Sequence, residues 1–276
     1  MMSNEASNES FLAEYSSEDA VRKYSKKSAG AGISYLLDHQ YGEIYLNAIR
    51  RYVSAPVNGG IRLLEFGCGA GMNLIHCLGL LGREGIPVAA AYGTDFSERL
   101  IKEASHEAAC LPPQLLERVK FVVARNELLV GDMADGLNVP EGELLGSFHL
   151  IIGVNTFRYP YRLGRGDDCA KGIYNMLKPG GVCVMIDMND KFPMFRTRLR
   201  DRLTRPENER YLPTLDEYAV PFAAAGLQVL EKRNFCWIPH SAGTALLATC
   251  RAVTPVLNLL VRSFAMRSLV ISKKPA

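Results

Sequence analysis

The sequence predicts an α/β fold in which a parallel β-sheet is covered by helices on both faces. Short apolar runs, typical of buried strands, alternate along the chain with amphipathic helical segments. With 276 residues and 48% hydrophobic residues, the chain is long enough for one well-packed domain. The first clear strand ends in a glycine-rich stretch, LLEFGCGAGMNL, which opens into a helix. Such a turn is typical of ligand-binding α/β sheets.

The charge distribution gives no broad basic surface. Charged residues make up 22% of the chain, and the formal net charge is +3. We therefore expect no nucleic-acid partner. The densest basic stretch, FRTRLRDRLTR, is interpreted as a solvated helix face. Its arginines are Arg196, Arg198, Arg200, Arg202 and Arg205.

Cysteine usage and the apolar segments predict the compartment. The seven cysteines form no CxxC pair, which favours free buried thiols in a reducing compartment. The first ten residues, MMSNEASNES, are polar and do not resemble a signal peptide. The apolar stretch 242–266 is interrupted by Arg251, Pro255 and Arg262, so we expect no stable membrane insertion. We predict a soluble cytoplasmic protein.

The chain divides into a tail, a helical segment and a larger domain. Residues 1–18 are rich in Ser, Glu and Asn and are predicted to be disordered. In residues 19–55, apolar residues recur every three or four positions, which predicts helices that cover the site as a lid. Residues 56–276 are predicted to form the α/β domain. Within it, residues 241–265 are a helical insertion before the last strand, and a second candidate lid.

Strand and helix signals alternate through this domain. The predicted strands are residues 61–66, 88–93, 128–130, 149–154, 182–187, 228–237 and 267–272. The predicted helices are residues 72–81, 97–109, 112–125, 167–177, 215–225 and 242–264. The third strand has an alternative at residues 119–123, which would move Asp132 into a loop.

The glycines after the first strand predict a ligand-binding turn. Gly67, Gly69 and Gly71 allow positive φ and close approach of a ligand, and the following helix presents free N–H groups. Glu65 precedes the turn, which favours a cationic ligand over a pyrophosphate.

Acidic residues at the next two predicted strand ends extend this site. Asp95 ends the second strand, where a ribose-binding acid is expected. Asp132 follows the predicted third strand, where a carboxylate can accept from an adenine amine, and the thioether of Met133 can lie on the ring. Singly, Asp95 could instead cap a helix and Asp132 could be a turn residue. The ordered series favours a nucleoside ligand.

Residues 61–190 resemble the class I S-adenosylmethionine-dependent methyltransferases. The resemblance lies in LLEFGCGAGMNL, YGTDFSERLI, VGDMADGL, FHLIIGVNTFRY and LKPGGVCVMID. It implies a Rossmann-like, doubly wound, seven-stranded sheet whose last strand is antiparallel. It also implies that S-adenosylmethionine is the cofactor.

The resemblance assigns cofactor-binding roles residue by residue. It implies that the three glycines line the methionine part, that Glu65 helps to hold its ammonium, and that Asn155 lies near the reacting methyl group. On the nucleoside side it implies Asp95 for the ribose hydroxyls, Phe96 beside the adenine, Asp132 for the adenine amine and Met133 beside the ring.

For the acceptor, we expect a small organic molecule that is partly apolar or aromatic. Methyl transfer would be an in-line displacement in a dry, lidded pocket, at oxygen or nitrogen more readily than at carbon. His240 is the candidate general base, although it could instead be a surface histidine. Tyr159 could shape the acceptor pocket. We expect no metal, because Asn155 stands where a metal-binding carboxylate would be needed.

Three other functions remain open from the sequence. A nicotinamide oxidoreductase is disfavoured by Glu65. An enzyme of the same fold could use the cofactor for other chemistry. A non-catalytic homologue could bind the cofactor and act as an interaction partner. Oligomeric state and acceptor identity are not predicted.

Overall fold

Seven strands form one mixed sheet in the order β3-β2-β1-β4-β5-β7-β6. The computed structural model describes residues 31–53, 59–196 and 212–276. Strands β1 to β5 pair in parallel, and β7 is antiparallel to both β5 and β6. The predicted doubly wound sheet with an antiparallel last strand is confirmed. Its strands are β1 Ile61–Phe66, β2 Val88–Asp95, β3 Val119–Val123, β4 Phe148–Val154, β5 Leu177–Met188, β6 Gln228–Phe235 and β7 Arg267–Lys273.

Helices cover both faces of this sheet. The α-helices are α1 Ala31–Leu36, α2 Gly42–Tyr52, α3 Met72–Arg83, α4 Glu98–Glu107, α5 Pro113–Leu116, α6 Leu129–Leu137, α7 Arg158–Arg162, α8 Gly166–Met176, α9 Pro193–Arg196, α10 Leu215–Ala224 and α11 Thr244–Leu260. A π-helical turn, Leu37–Tyr41, joins α1 to α2.

Alternation along the strands divides the core in two. In β1, Leu63 belongs to the core under α1, α2 and α3, whereas Leu64 and Phe66 belong to the core under α6, α8 and α10. This division follows from the two-residue period of a strand, which sends successive side chains to opposite faces. Because both faces are covered, the central strands read as continuous apolar runs.

The predicted third strand at residues 128–130 is wrong, and the alternative at Val119–Val123 is the observed β3. This strand lies at the sheet edge, and only Val122 in it is buried. The preferred stretch instead forms α6, because Leu129 and Met133 bury one helical face at a spacing of four. Of the helix predicted over 112–125, only α5 exists.

The two predicted lid segments differ in their packing. Helices α1 and α2 belong to the sheet-covering layer, with Tyr41 and Tyr45 each 1% exposed. Helix α11 has no fully buried residue and leaves Leu246, Val256 and Leu259 exposed. Both lids stay predictions. The predicted tail 1–18 and most of the basic stretch 196–205 lie outside the described residues.

Candidate active site

Four strand ends meet at one edge of the sheet. They are the carboxyl ends of β1, β2, β4 and β5, since these strands are parallel. Strand β7 runs the other way, so its first residue, Arg267, pairs with Met188 at the end of β5. This edge is where α/β sheets bind ligands.

The glycine turn after β1 has the predicted backbone conformation. Gly67, Gly69 and Gly71 have φ of 62°, 56° and 77°, in the left-handed region. A Cβ on Gly67 would lie 1.9 Å from the Thr156 hydroxyl oxygen, so that glycine is required by packing. A Cβ on Gly69 would meet no atom within 4 Å, which leaves its side of the turn open to a ligand.

Glu65 is a buried acid with spare hydrogen-bonding capacity. It is 2% exposed, and its Oε1 accepts from Asn73 Nδ2 at 2.8 Å. Asn73 Oδ1 in turn accepts from the Tyr45 hydroxyl at 3.0 Å. Oε2 is buried without a hydrogen-bond partner among the described residues. Burial raises the pKa of Glu65 to about 8, opposed by the hydrogen bonds from Asn73 and from the Leu74 backbone. A buried oxygen of this kind fits the ammonium group of S-adenosylmethionine.

Asp95 connects the glycine turn to the end of β2. Its Oδ2 accepts from the Gly69 N–H and its Oδ1 from the Ser97 N–H, each at 3.0 Å. Burial raises the pKa of Asp95, and these two backbone hydrogen bonds oppose the rise. The side chain therefore orders the turn and begins the loop into α4, while each oxygen keeps a second lone pair. Phe96, beside it, is half-buried.

Asp132 and Met133 do not occupy the position that was predicted for them. Both lie on α6 rather than at a strand end. Asp132 is held by Arg125, whose Nε and Nη2 donate to its two oxygens at 2.8 Å each, and this lowers the pKa of Asp132. Met133 is 0% exposed in the core. The structure thus removes the placement on which their adenine-binding roles rested, because β3 ends nine residues earlier than residue 132.

Several polar residues near this edge were missed by sequence reasoning. Asn73, in the first turn of α3, carries the hydrogen bond to Glu65. Asn126, shortly after β3, donates to the Thr156 hydroxyl at 2.8 Å. The misplaced third strand concealed Asn126, and a lone asparagine or threonine carries no motif signal.

A second polar group, the arginine cluster, consists of Tyr41, Asn155, His240 and Arg267. Arg267 Nη1 donates to Asn155 Oδ1 at 2.9 Å, and its Nη2 lies 3.1 Å from His240 Nε2. The Tyr41 hydroxyl lies 3.1 Å from the same His240 nitrogen. Burial raises the pKa of Tyr41 to about 12, and Arg267 opposes that rise. The structure therefore brings Asn155 and His240 together through Arg267.

Asn155 has an unusual backbone for a non-glycine residue. Its φ is 58°, and its N–H donates to the Ile186 carbonyl at the end of β5. Asparagine tolerates this left-handed conformation better than most residues. The turn after β4 therefore directs the Asn155 side chain to Arg267 on β7.

Tyr159 belongs to a neighbouring group on α7. Its hydroxyl accepts from Arg158 Nη2 at 2.5 Å, and the Arg158 guanidinium lies 4.4 Å from its ring centroid. Arg158 Nη1 also pairs with the buried Asp187 at 2.8 Å. Tyr159 thus lies next to a buried ion pair at the end of β5.

Two potential metal ligands at this edge, Asp187 and Asn189, have other partners. Asp187 is bonded to Arg158, and Asn189 Nδ2 donates to the carbonyls of Ser263 and Ala265. In the described part of the chain, one group of side chains has the spacing of metal ligands. It lies on α4 and consists of Glu103, His106 and Glu107. No described helix has the length and apolar character that crossing a bilayer requires.

Comparison with known proteins agrees with this geometry. A family model described as a methyltransferase domain matches residues 64–183. A citrinin polyketide synthase of Monascus ruber is 28% identical over 133 residues, which are 48% of this chain and 4% of that protein. The region that the family model matches contains the glycine turn and strands β2 to β4.

Solved structures share the fold over most of the chain. The magnesium protoporphyrin IX methyltransferase of Synechocystis PCC 6803, with bound S-adenosylhomocysteine, superposes with a TM-score of 0.62 at 11% identity, over 96% of this chain and 99% of that one. The CurJ carbon methyltransferase has a TM-score of 0.54 at 15% identity, over 96% of this chain and 57% of that one.

The strand order, the glycine turn and the family match point to one group of enzymes. Glu65 and Gly69 fit the cofactor of that group, because one offers an unpartnered buried oxygen and the other an open backbone. Residues 64–183 thus match a methyltransferase domain, the chain has the fold of the class I S-adenosylmethionine-dependent methyltransferases, and its site fits S-adenosylmethionine as the cofactor.

Proposed function

We propose that the enzyme methylates a small organic acceptor at oxygen or nitrogen, and that the acceptor binds beside the arginine cluster. One observation carries this proposal. The ligand-binding edge holds two separate polar groups, Glu65 with Asn73 after β1 and the arginine cluster after β4 and before β7. A transferase needs two adjoining subsites, and the first group fits the cofactor.

On the cofactor side, the chain's task is binding and orientation. Glu65 would hold the ammonium, the open backbone at Gly69 would lie along the methionine part, and Asp95 would bind the ribose, with Phe96 beside the adenine. When bound, the cofactor supplies a methyl group on a cationic sulfur. Correct positioning of two reactants supplies on the order of 7–11 kcal/mol of rate acceleration.

Asp132 has a different role in this proposal from the one that its motif suggested. Both of its oxygens accept hydrogen bonds from Arg125, at 2.8 Å. We assign Asp132 to positioning the segment after β3, where Arg125 and Asn126 follow the strand. Met133 anchors the same helix from the core.

His240 is proposed to position Arg267. Arginine has no lone pair to offer, so Arg267 donates to His240 Nε2, and the ring proton is then on Nδ1. In this tautomer the lone pair that a general base needs already accepts from Arg267. We therefore propose that His240 holds Arg267 in place beside the acceptor and does not remove a proton. Asn155 and Tyr159 complete the surroundings of the reacting atoms.

Carbon methylation is a second candidate, favoured by the structural likeness to the CurJ carbon methyltransferase. The two candidates are separated by locating the transferred methyl. The purified enzyme would be incubated with S-adenosylmethionine labelled with ¹³C at the methyl and with a panel of phenols, carboxylic acids, amines and 1,3-dicarbonyl compounds. Formation of an O–CH₃ or N–CH₃ product supports the proposal, and exclusive formation of a C–CH₃ product overturns it. Cofactor binding without turnover would indicate the non-catalytic homologue.

A further inference from the structure

Arg267 is a buried cation that has only neutral partners. It is 6% exposed, and its guanidinium bonds to Asn155 Oδ1 and His240 Nε2. Its Nε is buried and has no hydrogen-bond partner among the described residues. No ion pair joins it to a carboxylate in the described part of the chain, and the buried acid of β5, Asp187, is paired with Arg158.

A buried charge is costly unless an opposite charge or several hydrogen bonds compensate it. On the same sheet edge, the charge of Arg158, whose side chain is 15% exposed, is compensated by an ion pair with Asp187 at 2.8 Å. Arg267 has no such compensation. The sequence around it adds none, since residues 232–276 contain neither Asp nor Glu. The charge and the free Nε–H of Arg267 are therefore available to a ligand.

The neighbours of Arg267 fix its direction and its place in the site. Asn155 holds one arm of the guanidinium from the turn after β4, and His240 holds the other from the loop after β6. Arg267 itself begins β7, opposite Met188 on β5. It thus lies on the side of the edge that we assign to the acceptor, away from the acid Glu65 near the end of β1.

We propose that Arg267 is a specificity-determining residue that binds a carboxylate of the acceptor. This inference rests on the proposed function and narrows the acceptor to an anionic, small organic acid. The planar fork of a guanidinium matches the two oxygens of a carboxylate. Binding would compensate the buried charge, while the neutral Asn155 and His240 keep the guanidinium plane fixed.

The test uses an isosteric pair of probes, benzoate and benzamide. Each is titrated calorimetrically into the enzyme saturated with S-adenosylhomocysteine. We expect the wild-type enzyme to prefer benzoate by a factor on the order of 10 to 100, the range of a charge-assisted hydrogen bond. Arg267→Met should abolish the preference. Arg267→Lys, which keeps the charge without the fork, should retain part of it.

Arg62→Met is the matched control. Arg62 also has a buried Nε without a partner among the described residues. It is the second residue of β1, at the opposite end of the sheet, and its guanidinium lies 5.2 and 5.0 Å from the ring centroids of Tyr92 and Phe148. We expect this variant to keep the wild-type preference for benzoate. Any loss of stability that follows from replacing an arginine by methionine should appear in both variants. Loss of the preference for benzoate should appear in Arg267→Met alone.

Two results would overturn the inference. One is a wild-type enzyme that does not prefer benzoate to benzamide, whether both bind or neither does. The other is a preference that survives in Arg267→Met. Binding of S-adenosylhomocysteine is measured first in each variant. Its retention shows that the fold and the cofactor site are intact, so that failure of the acceptor inference is separated from failure of the proposed function.

Discussion

Glu65, an acid, and Arg267, a cation, lie in different parts of the same sheet edge and have the same kind of surroundings. Each is buried, and each has one charged-group atom without a partner among the described residues. Each is bonded to a neutral asparagine, Asn73 for Glu65 and Asn155 for Arg267. Unpaired buried charges are rarely kept unless they serve function. The comparison indicates a site divided into an acidic half and a cationic half.

The N-terminal helical segment supports both halves. Tyr45 donates to Asn73 beside Glu65, and Tyr41 bonds to His240 beside Arg267. These tyrosines are four residues apart, so they project from the same face of the helical segment. Residues 31–52 are thus part of the site's framework as well as of the core.

The largest expected effect comes from Asp95→Ala. The ribose would lose its acceptor, and the Gly69 and Ser97 N–H groups would lose theirs. We expect affinity for S-adenosylhomocysteine to fall about 100-fold and the free energy of unfolding to fall by about 1–3 kcal/mol. Calorimetry and thermal unfolding measure the two. Unchanged affinity would remove Asp95 from the site.

Next comes Gly69→Ala, with Gly85→Ala as its control. Both glycines have positive φ, 56° and 66°, and a Cβ on either would meet nothing within 4 Å. Each substitution should therefore cost about 1–2 kcal/mol of stability through backbone strain. Because we place the cofactor against Gly69 alone, only Gly69→Ala should weaken S-adenosylhomocysteine binding, by about 30-fold. Equal affinities in the two variants would show that the open side of Gly69 is not the cofactor surface.

The substitution Glu65→Gln tests the acidic half of the site through the pH dependence of cofactor binding. Since the pKa of Glu65 is about 8 in the ligand-free protein, its carboxyl is protonated at pH 7. An ammonium favours the ionised form, so binding should release a proton near pH 7, and affinity should increase as pH rises towards 8. We expect calorimetry in phosphate and Tris buffers to detect this proton. Glu65→Gln should abolish the release and weaken binding about tenfold.

The same shift affects the stability of the ligand-free enzyme. The pKa of Glu65 in the folded protein is raised above its usual value of 4.5. The contribution of Glu65 to the free energy of unfolding is therefore complete below pH 4.5 and is lost as pH rises through 8. Glu65→Gln should therefore be relatively more stable than the wild type at pH 9 than at pH 5. A difference that does not change with pH would mean that Glu65 is already ionised at neutral pH.

The smallest expected effect is that of His240→Ala. If His240 positions Arg267 without removing a proton, turnover should fall about fivefold, the range of one neutral hydrogen bond. Affinity for S-adenosylhomocysteine should not change. The pH profile of turnover should also keep its shape. Loss of an ionisation from that profile, with a fall of about 100-fold or more, would restore the general-base role.

Local patterns in the sequence predicted the cofactor half better than the acceptor half. The glycine turn and Asp95 lie within motifs where neighbours in sequence are neighbours in space. The bonds of the arginine cluster join residues far apart in sequence, 199 positions for Tyr41 and His240 and 112 for Asn155 and Arg267. A local sequence pattern cannot predict a contact between residues that are so far apart in the chain. The third strand was misplaced because Asp132 after residues 128–130 favoured a strand that ends in an acidic turn, whereas Leu129 and Met133 bury one face of helix α6.

The most direct test of the divided site is a calorimetric titration with three ligands. S-adenosylhomocysteine carries an ammonium and a nucleoside, 5′-methylthioadenosine carries the nucleoside alone, and NADH carries a pyrophosphate. We predict micromolar binding of the first, binding of the second that is at least about tenfold weaker, and no binding of the third. Preference for NADH, or equal binding of the first two ligands, would contradict the account of an acidic half that is built for the cofactor's ammonium.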